Sequence, residues 1–133
     1  MKKLLFLVLL STLCTLDVFA QQYIYRAYRA NLAVYDDWTG RYEWGEVQNT
    51  NIDIKVFTDT DQLVILSKTP QLFNLMNSLT VPLFPSSPGY ERNYEARDMD
   101  NVICTVTFIH NKYGDYWIFI TYSNVKFAYK LNL

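Results

Sequence analysis

Apolar and polar side chains alternate with a period of two along much of the chain. Ile52, Ile54 and Val56, for example, alternate with Asp53 and Lys55. This alternation is typical of a β-strand with one buried face. With the turn residues between the runs, it predicts nine strands, near Gln22–Tyr35, Arg41–Val47, Asn51–Thr58, Gln62–Lys68, Gln71–Asn77, Tyr90–Arg97, Val102–His110, Tyr116–Tyr122 and Val125–Leu131.

One segment, residues 70–79, is compatible with two structures. Thr69 followed by Pro70 resembles a helix start, and apolar residues then follow at helical spacing: Leu72, Leu75, Met76 and Leu79. Against a helix, Asn77 and Ser78 are poor helix formers, and Pro70 follows a strand with no loop residues between. These features favour a kinked strand, with a helix as the alternative.

The fold predicted from these strands is all-β. Aromatic and β-branched residues are abundant, which favours strands over helices. Dense strands with short connections predict an antiparallel meander of about seven to nine strands that forms a small barrel. A two-sheet β-sandwich is the alternative.

The C-terminal turns predict the register of three strands. A three-residue loop, Lys112-Tyr113-Gly114, with Gly114 in the left-handed conformation, places Phe108 opposite Ile118. A two-residue turn at Ser123-Asn124 then places Ile120 opposite Phe127. Both pairings predict the same core face: Val102, Cys104, Val106, Phe108, Ile118, Ile120, Phe127 and Tyr129.

The opposite face of these strands is too apolar to be only a solvated surface. Ile109 and Trp117 lie opposite each other, and Phe119 is nearby. Either the N-terminal strand or a loop covers this face, or the face binds something. Trp38 and Trp44 are further aromatic candidates for a ligand- or partner-binding surface.

The N-terminus has the pattern of a signal peptide. Lys2 and Lys3 precede the apolar run 4–10, and Val18-Phe19-Ala20 has small residues at the positions that define cleavage. We therefore expect a signal peptide at 1–20, a single β domain at 21–133, and a periplasmic or secreted product. A lipoprotein attached at Cys14 is disfavoured because Leu13 is not small.

Charge and residue type exclude several kinds of chemistry. Without residues 1–20 the chain has 10 basic and 12 acidic residues, a net charge near −2, so we expect no nucleic-acid partner. The four glycines form no phosphate loop, and we expect no cofactor.

The sole histidine, His110, lies at a strand end, where a turn hydrogen bond is the favoured role. Cys104 lies in the apolar alternation and is expected to be a buried thiol.

Paired carboxylates are the remaining candidates for catalytic or metal-binding residues. They occur at Asp36-Asp37, at Asp59 with Asp61, and at Asp98 with Asp100. The last two lie between predicted strands, where Asp is favoured for its local hydrogen bonds. We interpret them as turn residues and predict neither catalytic nor metal-binding residues. A carboxylate-dependent hydrolase remains the alternative.

The chain is similar to small exported proteins of unknown function from Bacteroidota-type bacteria. The similarity covers Met1-Lys2-Lys3, Phe19-Ala20-Gln21, Tyr25-Arg26-Ala27, Asn51-Ile52-Asp53-Ile54, Ile65-Leu66-Ser67 and the aromatic C-terminal hairpin. This resemblance implies an exported, all-β protein and implies no mechanism. The Asp-rich turn before Val102 lacks the glycine that such proteins carry there.

These observations lead to one functional hypothesis and one alternative. The hypothesis is an exported, non-catalytic binding module of the cell envelope, whose partner is a small apolar ligand, a glycan or an envelope protein. No other apolar run approaches the roughly 20 residues of a membrane span, so no transmembrane span is expected after residue 20. The alternative is a small hydrolase that uses paired carboxylates.

Cleavage of the leader is the first testable prediction. We expect the exported protein to begin at Gln21, because Ala20 completes the cleavage pattern. Intact-mass measurement of the exported protein checks this. A product that retains Met1, or one that begins at a lipidated Cys14, would contradict it.

Overall fold

A computed structural model describes residues 22–133, so the predicted signal peptide lies outside the described residues. The described chain contains nine antiparallel strands: β1 (Gln22–Asp36), β2 (Arg41–Trp44), β3 (Gln48–Phe57), β4 (Gln62–Leu66), β5 (Gln71–Leu75), β6 (Tyr90–Arg97), β7 (Ile103–His110), β8 (Tyr116–Thr121) and β9 (Val125–Asn132). All nine predicted strands are present, and the segment 70–79 contains a strand rather than a helix. Within residues 22–133, no helix has the length and apolar character needed to cross a membrane.

The sheet closes into an eight-stranded barrel. Strands β3 to β9 form a meander in which each strand pairs with the next. Strand β1 closes this meander by pairing with both β3 and β9. Ala27, for example, lies between Ile52 of β3 and Leu131 of β9. The prediction of a barrel is therefore confirmed, and the sandwich alternative is wrong.

The ninth strand, β2, continues the line of β3 along the same edge of β1. Ala33 pairs with Trp44 of β2 on one side and with Lys126 of β9 on the other, so β2 lies on the side of β1 opposite β9, as β3 does. The Gly45 amide donates a hydrogen bond to the Leu32 carbonyl at 2.8 Å, between the two paired stretches. The β1–β2 hairpin therefore lies at one end of the barrel.

A β-bulge in β1 changes which residues face the barrel interior. The pairing shifts between Ala27 and Arg29 against both neighbouring strands. Beyond the shift, Leu32 lies opposite Phe127, which packs against the core. The inward side of β1 therefore consists of odd-numbered residues up to Ala27 and of even-numbered residues from Ala30 onward.

The interior of the barrel is filled by side chains. The largest of the fully buried ones are Phe73, Phe108, Ile54, Leu63, Ile65, Ile118, Ile120, Val56 and Val106. Phe108 pairs with Ile118, and Ile120 pairs with Phe127, so the predicted register is confirmed. The prediction that Val102 lies on the core face is wrong: Val102 precedes β7 and is 47% exposed. Cys104 is buried in the same core, also as predicted. Because the centre is packed, a ligand has access only to the ends or the outer surface.

The loop between β5 and β6 covers one end of the barrel. Leu83, Phe84 and Pro85 of this loop are buried. The Phe84 ring packs edge-on against Phe108, with ring centroids 5.3 Å apart. His110 Nδ1 lies 2.9 Å from the Pro85 carbonyl oxygen, which can only accept, so His110 donates this bond and holds the loop.

The predicted role of the Asp residues in turns is confirmed at Asp98. Its Oδ1 accepts hydrogen bonds from the amides of Val102 at 2.8 Å and Asp100 at 3.0 Å. Its Oδ2 accepts the Tyr122 hydroxyl at 2.8 Å. These hydrogen bonds hold the pKa of Asp98 below its usual value. The carboxylate therefore stabilises the turn that begins β7.

The β7–β8 turn generates a stability prediction at Gly114, whose φ of +84° confirms the left-handed conformation. We expect Gly114→Val to lower the free energy of unfolding by about 1–3 kcal/mol, because a β-branched residue resists positive φ. Urea denaturation measures the change. Gly114→Asn serves as the control and should cost less, since Asn tolerates this conformation. Equal costs for the two variants would contradict the assignment.

Buried acids in the core generate a pH prediction. Burial is the main cause that raises the pKa of Cys104 to about 11 and those of Tyr25 and Tyr129 to about 12. In the unfolded chain these groups ionise near their ordinary values of 9.0 and 10.0. The unfolded state therefore releases protons first, so the stability present below pH 9 is lost as the pH rises towards 12.

Urea denaturation between pH 8 and pH 11 measures this loss. Cys104→Ala should remove the share of the decline that begins near pH 9, because Ala has no ionisable group. A stability that stays constant across the range would contradict the prediction. So would an unchanged slope in Cys104→Ala.

Candidate binding site at the barrel mouth

The predicted aromatic face lies on the outside of the barrel and contains three of the candidate residues. Trp117 and Phe119 point outward, because Ile118 between them is in the core. Their ring centroids are 5.9 Å apart. Trp44 of β2 packs against Phe119 with ring centroids 5.8 Å apart. Non-local pairing therefore brings Trp44 onto the face that carries Trp117 and Phe119.

Two lysines pack against the outer aromatic rings. Lys126 Nζ lies 5.0 Å from the ring centre of Tyr42 and 5.5 Å from that of Phe119. Lys130 Nζ lies 5.8 Å from the Trp117 ring and 3.6 Å from a carboxylate oxygen of Asp115. Both ammonium groups therefore already have attractive partners within the sheet.

Two outward-facing alanines show that the outer face is partly covered. Ala33 pairs with Lys126, and Ala128 pairs with Phe119, so both lie on the outside. Their exposed fractions are nevertheless only 0% and 2%. Strand β2 supplies part of the cover through Trp44, whose own side chain is 45% exposed. The cover comes from β2 and not from the N-terminal strand, because β1 lies in the barrel wall between β3 and β9, and it leaves an aromatic surface open.

A shallow depression, which we call the outer hollow, lies in this face. Its volume is about 470 Å³, and its lining consists of Asn31, Trp44, Trp117, Phe119, Lys126 and Ala128. Aromatic and aliphatic groups form most of the surface. The hollow therefore offers flat apolar contact area beside hydrogen-bonding groups.

A second depression, the mouth hollow, lies at the end of the barrel where β1 and β2 meet. Its volume is about 500 Å³, within the range of small-molecule sites. It is lined by Ala30, Asn31, Leu32, Val34, Glu43, Trp44, Gly45, Glu46, Gln48, Phe127 and Tyr129. Leu32 and Val34 lie on the inward side of β1 yet are 42% and 56% exposed. Apolar side chains that would be core residues deeper in the barrel are here accessible to a ligand.

The charged groups of the mouth hollow are two carboxylates, those of Glu43 and Glu46. Thr39 Oγ1 donates a hydrogen bond of 3.3 Å to Glu43. Asn31 also lines the hollow, but its Oδ1 is fully buried, without a hydrogen-bond partner among the described residues. A ligand in the hollow therefore meets the two carboxylates, while Asn31 Oδ1 is closed to it.

A neighbouring hollow along β3 is larger but more polar. Its volume is about 740 Å³, and its lining is Gln48, Thr50, Asn51, Ile52, Leu66, Ser67, Lys68, Thr69 and Gln71. It contains no aromatic side chain, in contrast to the mouth hollow, which contains three. The mouth hollow is therefore the better candidate for a ligand with an apolar body.

The other two predicted site residues lie away from the mouth. Trp38 is 98% exposed in the β1–β2 turn and has no ring contact with Trp44 among the described residues. Ile109 pairs with Trp117 and lines a small hollow near the β7–β8 turn. The structure thus brings Trp44, Trp117 and Phe119 together and places Trp38 apart.

Sequence reasoning missed most of the mouth hollow. Leu32 and Val34 do not continue the alternation of β1, because the bulge after Ala27 reverses the faces. The predicted strand Arg41–Val47 contains both Glu43 and Glu46, and its pattern does not indicate that they line a hollow. In the structure, β2 ends at Trp44. The only sequence signal was the pair of carboxylates that flank Trp44-Gly45.

Within residues 22–133, no three His, Cys, Asp or Glu side chains come together as metal ligands. No family model, curated protein or solved structure matches the chain.

Proposed function

We propose that this protein is an exported, non-catalytic binding module of the cell envelope. Its ligand occupies the mouth hollow and extends towards the outer hollow. The observation that carries this proposal is that Trp44 and Asn31 line both hollows. A single ligand in contact with the Trp44 ring therefore reaches both depressions.

The distribution of apolar surface supports binding at this end. The interior is packed and the opposite end is covered by the loop that carries Phe84. The mouth, in contrast, exposes Leu32 and Val34 beside Trp44. Large apolar side chains that cluster in a concave surface are typical of ligand sites.

The arrangement of the paired Asp residues also favours binding over catalysis. Asp98 is held by the amides of its own turn and by the Tyr122 hydroxyl. Asp61 Oδ1 accepts the Leu79 amide at 2.9 Å and so anchors the loop at the covered end. These carboxylates stabilise backbone structure at opposite ends of the barrel and do not converge on one cleft.

One observation favours a second function, hydrolysis. Glu43 and Glu46 line the same hollow, and two carboxylates on either side of a glycosidic bond are sufficient for its hydrolysis. Under this alternative, Glu43→Gln would abolish the release of a chromogenic phenol from aryl glycosides. Under the binding proposal, neither the unmodified protein nor the variant releases it.

Native mass spectrometry tests the binding proposal. The exported protein, purified from the cell envelope that produces it, should carry a bound ligand. Trp44→Ala should lose this ligand, because the ring contacts it from both hollows. Trp38→Ala is the matched control and should retain it, since Trp38 lies in an exposed turn.

Trp44→Ala should lower the free energy of unfolding by about 1–2 kcal/mol, less than the roughly 3–5 kcal/mol for truncation of a buried aromatic side chain.

Three outcomes would contradict the proposal. The first is equal retention of a ligand by Trp44→Ala and the unmodified protein. The second is glycoside hydrolysis that disappears in Glu43→Gln, which would establish the alternative. The third is the absence of any bound species in the unmodified protein.

A further inference from the structure

We infer that the mouth hollow binds a protonated organic amine, that is, an ammonium group attached to an apolar body. This inference rests on the proposed function and names the class of its ligand. It depends on two features of the hollow: its carboxylate charge, and its aromatic and aliphatic surface.

The charge of the lining favours a cation. Glu43 and Glu46 contribute two negative charges, and no Lys, Arg or His is among the lining residues. Neither carboxylate is in a salt bridge of the described chain, whose two ion pairs are Arg26–Asp53 and Lys130–Asp115. Carboxylates in a concave, partly apolar surface attract a positive group and repel a carboxylate or sulfate.

Nearby lysines do not neutralise this charge at the mouth. Lys126 lies on the outward face of β9, where its Nζ is over the rings of Tyr42 and Phe119. Its ammonium group therefore belongs to the outer hollow. Within the mouth hollow, the ligand meets the carboxylates without a competing cation from the lining, and only the part that extends to the outer hollow approaches Lys126.

The apolar surface favours an organic cation over a bare inorganic one. Leu32 and Val34 expose aliphatic carbon, and Phe127 and Tyr129 extend the surface towards the core. An ammonium group near the face of Trp44 gains a cation–π attraction, while its alkyl or aryl body covers the aliphatic side chains.

The two carboxylates favour an amine that carries N–H groups. A protonated primary amine has three donors for the oxygens of Glu43 and Glu46, and hydrogen bonds between charged groups are stronger than neutral ones. A quaternary ammonium has the same charge but no donor. The carboxylates should therefore distinguish between these two kinds of cation.

Matched octyl compounds test the inference, because they share one apolar chain and differ only in the head group. Octylammonium, octyltrimethylammonium, octyl sulfate and octyl glucoside are titrated into the mature protein, each below its micelle-forming concentration. Calorimetry measures the affinity, and amide chemical shifts locate the site. Octylammonium should bind most tightly, with the largest shifts near Trp44 and Phe127, and octyl sulfate should bind least.

Variants then separate charge from apolar contact. The double variant Glu43→Gln with Glu46→Gln should weaken octylammonium binding by about tenfold at low salt, as expected for two partly exposed ion pairs. Glu95→Gln, which removes an exposed carboxylate from β6, should leave the affinity unchanged. The same double variant should reduce the preference for octylammonium over octyltrimethylammonium, because it removes the charged acceptors. Equal thermal midpoints exclude a folding defect.

The possible results separate this inference from the proposed function. Equal affinity for octyl sulfate or octyl glucoside, or an unchanged affinity in the double Glu variant, would overturn the assignment of an amine. Absence of binding by all four compounds would also overturn it. In each of these cases the binding proposal stands if the natural ligand is retained and is lost in Trp44→Ala. If no natural ligand is retained either, both fail.

Discussion

The whole structure depends on the backbone pairing of β1 with two strands at once. One edge of β1 pairs with β3 and β2, and the other pairs with β9, so the first and last strands of the chain close the barrel. Closure satisfies the edges that an open meander would leave without hydrogen-bond partners. It also brings the apolar faces of all eight strands together around one packed core, in which Phe73 and Phe108 are fully buried.

The bulge after Ala27 gives β1 two roles. Up to Ala27 the strand contributes small and aromatic side chains to the core, as its alternation indicates. Beyond the bulge, Leu32 and Val34 face inward near the rim, and Ala33 faces outward under the aromatic cover. A bulge reverses the faces without ending the pairing, so a single strand builds both the barrel wall and the mouth.

The two ends of the barrel differ in a way that locates the candidate site. At one end, Phe84 and the hydrogen bond from His110 to Pro85 hold a loop over the core. At the other end, the β1–β2 hairpin lies at the rim, and carboxylate and apolar groups around Trp44 are exposed. Packing stabilises the first end, whereas exposed apolar surface at the second end has a cost that a bound ligand would offset.

The sequence by itself determined the local features of this protein. Alternation located the nine strands, the length of the Lys112–Gly114 loop determined the register of β7 and β8, and the alternation around Cys104 indicated a buried thiol. It also indicated that Trp117 and Phe119 point away from the core. Only the tertiary structure decided that Trp44 packs on Phe119 and that Glu43 and Glu46 share a hollow with Leu32. Periodicity reports the face on which a side chain lies, but strands distant in sequence become neighbours only when the barrel closes, and a bulge reverses the faces without a recognisable motif.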